Sequence, residues 1–439
     1  MANLISIASI FILGVLAAIK KYWLLIFLFC LIPFYAFIIT ILGNSPQIEN
    51  NTLEIIRLFK EVIFCGIFLG LLWNMYASKQ KITFQLADFF VALYLLVLVG
   101  SIFVHHSSLR EALFGIRYDF IFFFYYFVFR LYFKFYAATK ENLISIILIT
   151  SLPVFIFALL QFFILPQDFL VHFGYAKTAL PQFDPFGPIP AYQLLGNSNL
   201  IRVQSFFSGP NQLAAYSLII LFLSLGKILT PAGSKIKIIS YLVLILGLIT
   251  LVLTFSRSAW VGFLVGIILL AIINYKRQPI FSGLVLGSTI AAVALIFGLF
   301  KQNLYEIIIR PSSTLWHITY LKDAYTMIMT HPFGLGLSKV GPASQWLNQA
   351  LVSESFYLQI ALEVGVFGLL LFLIAFVLLS IKLIKQKTQF GLILFASLVS
   401  VLVASLFLHT LADGILAIYL GFVLALGSEE ANLDYETIK

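Results

Sequence analysis

Apolar runs long enough to cross a bilayer follow one another almost end to end in this 439-residue chain. A helix that spans the hydrocarbon needs roughly 20 mostly apolar residues. Lipid offers no partner to backbone N–H and C=O groups, so only helices and closed barrels survive there. The runs are too long and continuous for barrel strands of about 9–11 residues. The expected fold is therefore all-α, a polytopic integral membrane protein. Candidate spans fall at about 3–19, 22–42, 54–75, 85–104, 113–133, 142–165, 206–226, 237–254, 258–275, 280–300, 355–381, 389–408 and 411–427. The first is short, and only Lys20-Lys21 separates it from the second, so twelve or thirteen spans are expected. With no basic region upstream and no small-residue cleavage site, the first run reads as retained rather than as a signal peptide.

Only 10% of the residues are charged, against about 25% in soluble domains, so the position of each charge carries information. Most lysines sit in short links: Lys20, Lys21, Lys79, Lys81, Lys134, Lys140, Lys227, Lys235, Lys237, Lys276, Lys382, Lys385 and Lys387. Short basic loops face the cytoplasm. Placing these links inside gives one consistent alternation, with the tail from Ser428 to Lys439 also inside. Most arginines, namely Arg57, Arg110, Arg117, Arg202, Arg257 and Arg310, lie elsewhere. A guanidinium grips phosphate oxygens bidentately, which a lysine does not. The net charge of +9 is dispersed over many loops, so it speaks of topology and not of nucleic acid. Cys30 and Cys65 lie inside apolar runs and suggest neither a disulfide framework nor a metal site.

Two longer polar segments fall outside, at 166–205 and 301–354. The first carries Pro166, Pro181, Pro185, Pro188 and Pro190, with Pro210 just beyond. In the second, Leu315, Ile318, Leu321, Tyr325 and Ile328 share helical spacing. This predicts an amphipathic helix over about 313–329, lying against the outer membrane surface and ended by His331-Pro332 and Gly334-Leu335-Gly336. Three parts follow: membrane helices and the first outer loop over 1–200, a central region over 201–381, and a membrane hairpin with its tail over 382–439. There is no internal repeat.

The sequence has no Walker A loop, no G-x-G-x-x-G, no Cys/His cluster and no G-x-S-x-G elbow, which argues against ATP-driven transport and metal-dependent hydrolysis. The candidates are the ionisable residues at the outer edge of the spans. Arg257 lies in a brief polar break, Thr254 to Trp260, and marks a substrate path or snorkels to the head groups. Arg202 precedes a helix expected near Phe206. Pro210 within it is an ordinary first-turn proline or opens the helix beside a cavity. Arg110 and Arg117 share a face, and Glu111 and Asp119 are close enough to neutralise them, so a structural ion-pair network and substrate contact stand as equal alternatives. Glu354 stands at the outer mouth of a helix, as a cap or as a general base, and Glu363 follows on the same helix. His409 and Asp413 bracket the last hairpin turn, as a local pair or a second acid–base site.

These residues carry a family resemblance. Arg202-Val-Gln-Ser-Phe-Phe-Ser-Gly-Pro-Asn211-Gln-Leu-Ala-Ala resembles the R-x-x-G-x-F-x-x-P-N-x-x-A segment of the O-antigen ligase/O-antigen polymerase (Wzy-type) superfamily. Ser256-Arg257 resembles its S-R step. Arg310, Trp316, Ala324, Met327-Ile328 and His331-Pro332-Phe-Gly-Leu-Gly336 resemble its large periplasmic loop. Glu354-Ser-Phe-Tyr-Leu358 through Glu363-Val-Gly365 to Gly368 resembles its loop-exit motif H-[NS]-x-x-L-x-x-x-x-E-x-G-x-x-G. The likeness runs from about Arg202 to Leu370, in order and spacing.

The resemblance implies a metal-independent glycosyltransferase of the cytoplasmic (inner) membrane that needs no cofactor. Its donor would be a glycan on undecaprenyl pyrophosphate, and its acceptor a glycan, a lipid or a protein. Arg202, Arg257 and Arg310 would bind the pyrophosphate. Glu354 would be the catalytic base, standing where the ligases carry His. Asn211, Arg117, His331, His409 and Asp413 are further candidates. The missing His argues against a lipid A-core ligase and for a polymerase, or for an exopolysaccharide or protein-glycosylating relative. A flippase of lipid-linked sugars is the alternative of another class. It would show internal pseudo-symmetry and helices broken at midplane. A membrane scaffold would leave the outer arginines unexplained.

Overall fold

The computed structural model describes residues 22–45, 56–177, 188–274 apart from 197, 305–347 and 353–427, with isolated positions besides. The expected spans 3–19 and 280–300 and the tail from Ser428 lie essentially outside the described residues. The rest is an all-α polytopic membrane fold. Among the described residues nine helices are long and apolar enough to cross a membrane. In chain order the helices are α1 (Tyr22–Leu31), continued through a 3-10 turn into α2 (Tyr35–Gly43), α3 (Phe59–Ser78), α4 (Leu86–Val104), α5 (Leu109–Phe135), α6 (Thr139–Phe163), α7 (Pro210–Leu229), α8 (Ser234–Leu253), α9 (Arg257–Asn274), α10 (Pro311–Thr330), α11 (Gly341–Trp346), α12 (Phe356–Lys385), α13 (Gln389–Ala404) and α14 (Gly414–Leu426).

Helix starts follow from local chemistry. At α5 the Ser108 Oγ accepts the Glu111 N–H at 3.3 Å while the Glu111 carboxylate accepts the Ser108 N–H at 2.7 Å, a reciprocal cap that satisfies two orphan donors. Pro210 sits at the first position of α7, where its missing N–H costs nothing. The first-turn reading of that proline is therefore the observed one, and the helix begins four residues later than Phe206. The last two spans, α13 and α14, are shorter than expected because Ser405 to Asp413 form a turn and a 3-10 segment.

In α7 every residue from Leu213 to Lys227 is buried, and in α14 every residue from Ile415 to Leu426. A helix enclosed on all sides sits at the centre of a bundle. Here α14 packs on α5 and α7, while α13 packs on α7 and α9. Aromatic rings fill the interior: Phe29 meets Phe129, Tyr419 and Phe422 with centroids 5.7, 5.8 and 5.7 Å away. In lipid such packing, not water exclusion, drives helix association.

Side-chain and backbone contacts sort the loops into two ends. At the lysine-rich end, Lys227 at the close of α7 pairs with Glu141 at the start of α6. At the opposite end, Val203 N donates to the Leu253 carbonyl at 3.2 Å and Phe356 N to that of Ser405 at 3.1 Å. The loop 166–205 is not wholly irregular. It holds a 3-10 segment, Phe169–Phe173, and a two-stranded antiparallel ribbon of β1 (Gln193–Leu194) and β2 (Ile201–Arg202). The ribbon pairs Gln193 with Arg202, and short pairing of this kind left no periodic trace in the sequence.

The expected outer-loop helix is α10, and of the five apolar residues expected on its membrane face only Ile328 turns inward. Ala324, Met327 and Ile328 pack against Val340, Leu358 and Leu362. Leu315, Ile318, Leu321 and Tyr325, which share helical spacing, are 40–65% exposed, and Trp316 is 61% exposed. The apolar stripe therefore faces away from the bundle. A stripe of that kind beside a membrane inserts at the head-group boundary. We expect Trp316 fluorescence in vesicles to be quenched by lipids brominated near the head group. Quenching only by an aqueous agent would reject the interfacial placement.

Candidate active site

Three arginines distant in sequence meet at the turn between α8 and α9. Arg202, on β2, donates from Nε to the Thr254 carbonyl at 2.9 Å and from Nη2 to Asn211 Oδ1 at 2.7 Å. Arg310 donates to the Phe255 carbonyl at 3.1 Å. Arg257 opens α9, and its Nη1 donates to the carbonyls of Ile308 and Ile309 at 2.9 and 3.1 Å and to Thr314 Oγ1 at 3.0 Å. Burial and the charges of Arg310 and Arg257 push the Arg202 guanidinium down to about 9. The N-termini of α9 and α10 add partial positive charge.

The backbone is held in a sparsely populated conformation at the same place. Ser205, Phe255 and Arg310 have φ of 50°, 48° and 41°. Each costs about 1–3 kcal/mol and persists only where surrounding contacts over-determine it. A π-type turn, Tyr305–Ile309, leads into Arg310, and such turns cluster at functional positions.

Helix α10 joins this cluster to the candidate base. Thr314 contacts Arg257. His317, three residues on, places Nδ1 3.3 Å from Glu354 Oε2. Positions i and i+3 of a helix are neighbours, with Cβ atoms about 5–6 Å apart. The arginines and Glu354 are therefore brought together along one side of α10. The Glu354 side chain is 24% exposed and that of His317 30%, so both are open to solvent. Burial raises the Glu354 carboxyl above its ordinary range, and His317 pulls it back.

The other candidates divide. Asn211 belongs to the cluster, through Arg202. Arg117 does not pair with Asp119. It donates to Glu61 Oε1 from Nε at 3.1 Å and from Nη2 at 2.9 Å, and Glu61 also meets Lys60 at 3.1 Å. Glu111 is taken by its cap and by Lys339, while Arg110 lies over the Phe114 ring. The expected network across Arg110, Glu111, Arg117 and Asp119 is thus replaced by contacts between helices, because spacing along one helix is silent about its neighbours. His331 ends α10, exposed, with Thr330 Oγ1 3.0 Å from its Nδ1. Asp413 caps α14, its Oδ1 accepting the N–H groups of Ile415 and Leu416, both at 2.9 Å. Its Oδ1 is committed to that cap, and His409 makes a different contact, with Nε2 3.4 Å from Ser353 Oγ beside Glu354. Burial pushes the His409 imidazole down to about 4, which leaves it neutral near pH 7.

Two residues of this site had no signal of their own in the sequence. His317 and Thr314 were only positions in an expected surface helix. Their spacing of three, with an arginine partner on one side and a carboxylate on the other, emerges only once α9 and α12 are placed.

A comparison with curated proteins returns no match. Residues 242–373 match the family described as O-antigen ligase. That segment runs from α8 through Arg257, Arg310, His317 and Glu354 into α12, and the match supports the O-antigen ligase/polymerase superfamily.

Proposed function

We propose that the protein transfers or polymerises glycans carried on undecaprenyl pyrophosphate, at the outer face of the cytoplasmic membrane, as a polymerase-like glycosyltransferase that uses no metal. The observation that carries this reading is the meeting of Arg202, Arg257 and Arg310 one turn of α10 away from the His317–Glu354 pair. A leaving pyrophosphate develops charge on several oxygens, and preorganised guanidinia stabilise it without reorganising. In the reaction an acceptor hydroxyl oxygen bonds to the anomeric carbon. The bond from that carbon to the phosphate oxygen breaks, and its electron pair leaves with the lipid pyrophosphate. The hydroxyl proton passes to Glu354, with His317 beside the carboxylate to steady its charge. Asn211 orients Arg202 through its side-chain oxygen.

Other members of the superfamily differ in acceptor, so ligation to a lipid or transfer to a protein is the same chemistry with another hydroxyl. One observation leans toward a flippase: α12 is broken at Gly365, with φ 80° and ψ 172°. The break is filled by chain, however. Val366 N donates to the Pro332 carbonyl at 3.0 Å and Leu335 N to that of Leu362 at 2.7 Å. Unwound backbone that serves transport lines a cavity instead.

The reading requires the site to lie outside. With Cys30 and Cys65 replaced, a cysteine at the exposed Lys322 should react with an impermeant maleimide added to intact cells. Reaction only in inverted vesicles would overturn both the topology and the mechanism. Purified protein in lipid, given a lipid-linked oligosaccharide, should release undecaprenyl pyrophosphate in step with glycan transfer.

A further inference from the structure

Two carboxyl groups lie fully buried where α5 meets α12. Asp119 and Glu363 are both 0% exposed, and Gln359, which bonds to Asp119, stands four residues before Glu363 on the same face of α12, so the two carboxyl groups lie side by side. The outer oxygens of the pair are already occupied. Gln359 Nε2 donates to Asp119 Oδ1 at 2.8 Å, and Val340 N donates to Glu363 Oε1 at 3.1 Å. Asp119 Oδ2 and Glu363 Oε2 are buried and meet no N–H or hydroxyl donor. An ionised carboxylate only accepts hydrogen bonds. Two carboxylates can therefore bond to each other only with a proton between them, and two bare charges this close in a buried site repel strongly.

Glu363 also stands at the break in α12. Its carbonyl accepts the Gly336 N–H at 3.1 Å and the Ser101 hydroxyl at 3.5 Å. Gly334 has φ 89°, and a Cβ there would lie 2.6 Å from the Glu363 carbonyl oxygen. At Gly365 a Cβ would lie 2.6 Å from the Pro332 carbonyl oxygen. Both positions need glycine, because the loop backbone enters the opened helix. His105 Nε2 lies 3.1 Å from the Gly334 carbonyl, and Ser338 Oγ donates to that of Glu111 at 2.6 Å. Residues 332–340 thus form a strap across α4, α5 and α12, with Glu363 in its middle. The strap begins where α10 ends and so fixes the distance between α10 and α12.

We propose that Asp119 and Glu363 share one proton and act as a latch that holds the 332–340 strap in the broken helix, positioning α10 against α12. The proton belongs to the pair and not to either acid. The latch stands whether or not the chain transfers glycans. If it does, the same latch sets the His317–Glu354 distance, and that consequence alone rests on the function proposed above.

Infrared spectroscopy of the protein in lipid reads the proton directly. At neutral pH the native protein should show the carbonyl stretch of a buried protonated carboxylic acid. The difference spectra against Asp119→Asn and against Glu363→Gln should each lose that band. Strap closure is read by labelling a cysteine at Leu335, with Cys30 and Cys65 replaced. Glu363→Gln and Asp119→Asn should label at the native rate, because an amide N–H supplies the donor that the proton supplied. Glu363→Ala should label at least about tenfold faster. Absence of the acid band would overturn the shared proton, and Gln as harmful as Ala would overturn the latch. Should Glu363→Ala fail to insert, the infrared band and the Glu363→Gln rate still decide.

Discussion

Arg257→Lys should keep the charge of the site and lose most of its activity, by roughly a hundredfold, the size seen when one preorganised donor is removed from a transition-state site. Arg257 directs one nitrogen at three oxygens of the segment 308–314, which fixes the plane of its guanidinium. A lysine ammonium is a compact point charge on a flexible stem and reproduces neither the fork nor the three-way anchor. The anchoring role and the pyrophosphate role can be separated. Thr314→Val removes one of the three anchors and leaves the guanidinium intact, so it should lower activity only about two- to fivefold. In Arg257→Lys the loss should appear in release of undecaprenyl pyrophosphate, and inorganic pyrophosphate should inhibit the native enzyme more strongly than the variant. Near-normal product length in Arg257→Lys, with unchanged pyrophosphate inhibition, would remove pyrophosphate binding from this residue.

The fold was largely open to sequence reading because lipid imposes a single rule on every span. Runs such as 85–104 and 237–254 needed only length and hydropathy, and Leu86–Val104 and Ser234–Leu253 follow them closely. Ends were harder. Ser405 to Asp413 are apolar enough to extend either neighbouring helix, and it is the Asp413 cap and the bond from Phe356 N to the Ser405 carbonyl that stop them. The site was half legible. The arginines stood out because lysine is the ordinary cation of an inner loop, and their gathering at Thr254 to Arg257 needed only that they share an end. Of the two readings of Arg117 the ion pair is the observed one, but its partner, Glu61, lies on another helix 56 residues away and not at Asp119. The apolar stripe of α10 faces away from the bundle, as a helix lying on the membrane surface requires, and only Ile328 of the expected set turns inward. In a soluble protein the apolar stripe goes inward, whereas at a membrane boundary the residues that turn inward are those with partners, here Thr314, His317 and Ala324.

Glu354→Gln separates a cap from a base. A glutamine keeps the size of the side chain and part of its capping ability, and it cannot take a proton. If Glu354 is the base, the variant inserts, binds the lipid-linked donor, and forms product about a hundredfold more slowly or worse. The helix argues against a purely capping role: α12 begins at Phe356, its cap residue Ser355 makes no side-chain cap bond, and the Glu354 carboxylate contacts His317 instead. The pH profile gives a second reading. A base works when ionised, so activity should fall as pH drops through the Glu354 pKa. Burial raises that pKa above the ordinary value of about 4.3, so the acid limb should lie above the range of an exposed glutamate. His317 stabilises the charged form and lowers the pKa. Replacing it in His317→Asn removes that pull, and the acid limb should move to still higher pH while the plateau at alkaline pH falls less. A limb that stays in place in His317→Asn would show that the carboxylate titrating in the profile is not Glu354. Product formed by Glu354→Gln at a near-native rate would shift the base to His409, which lies beside Ser353 and is neutral near pH 7.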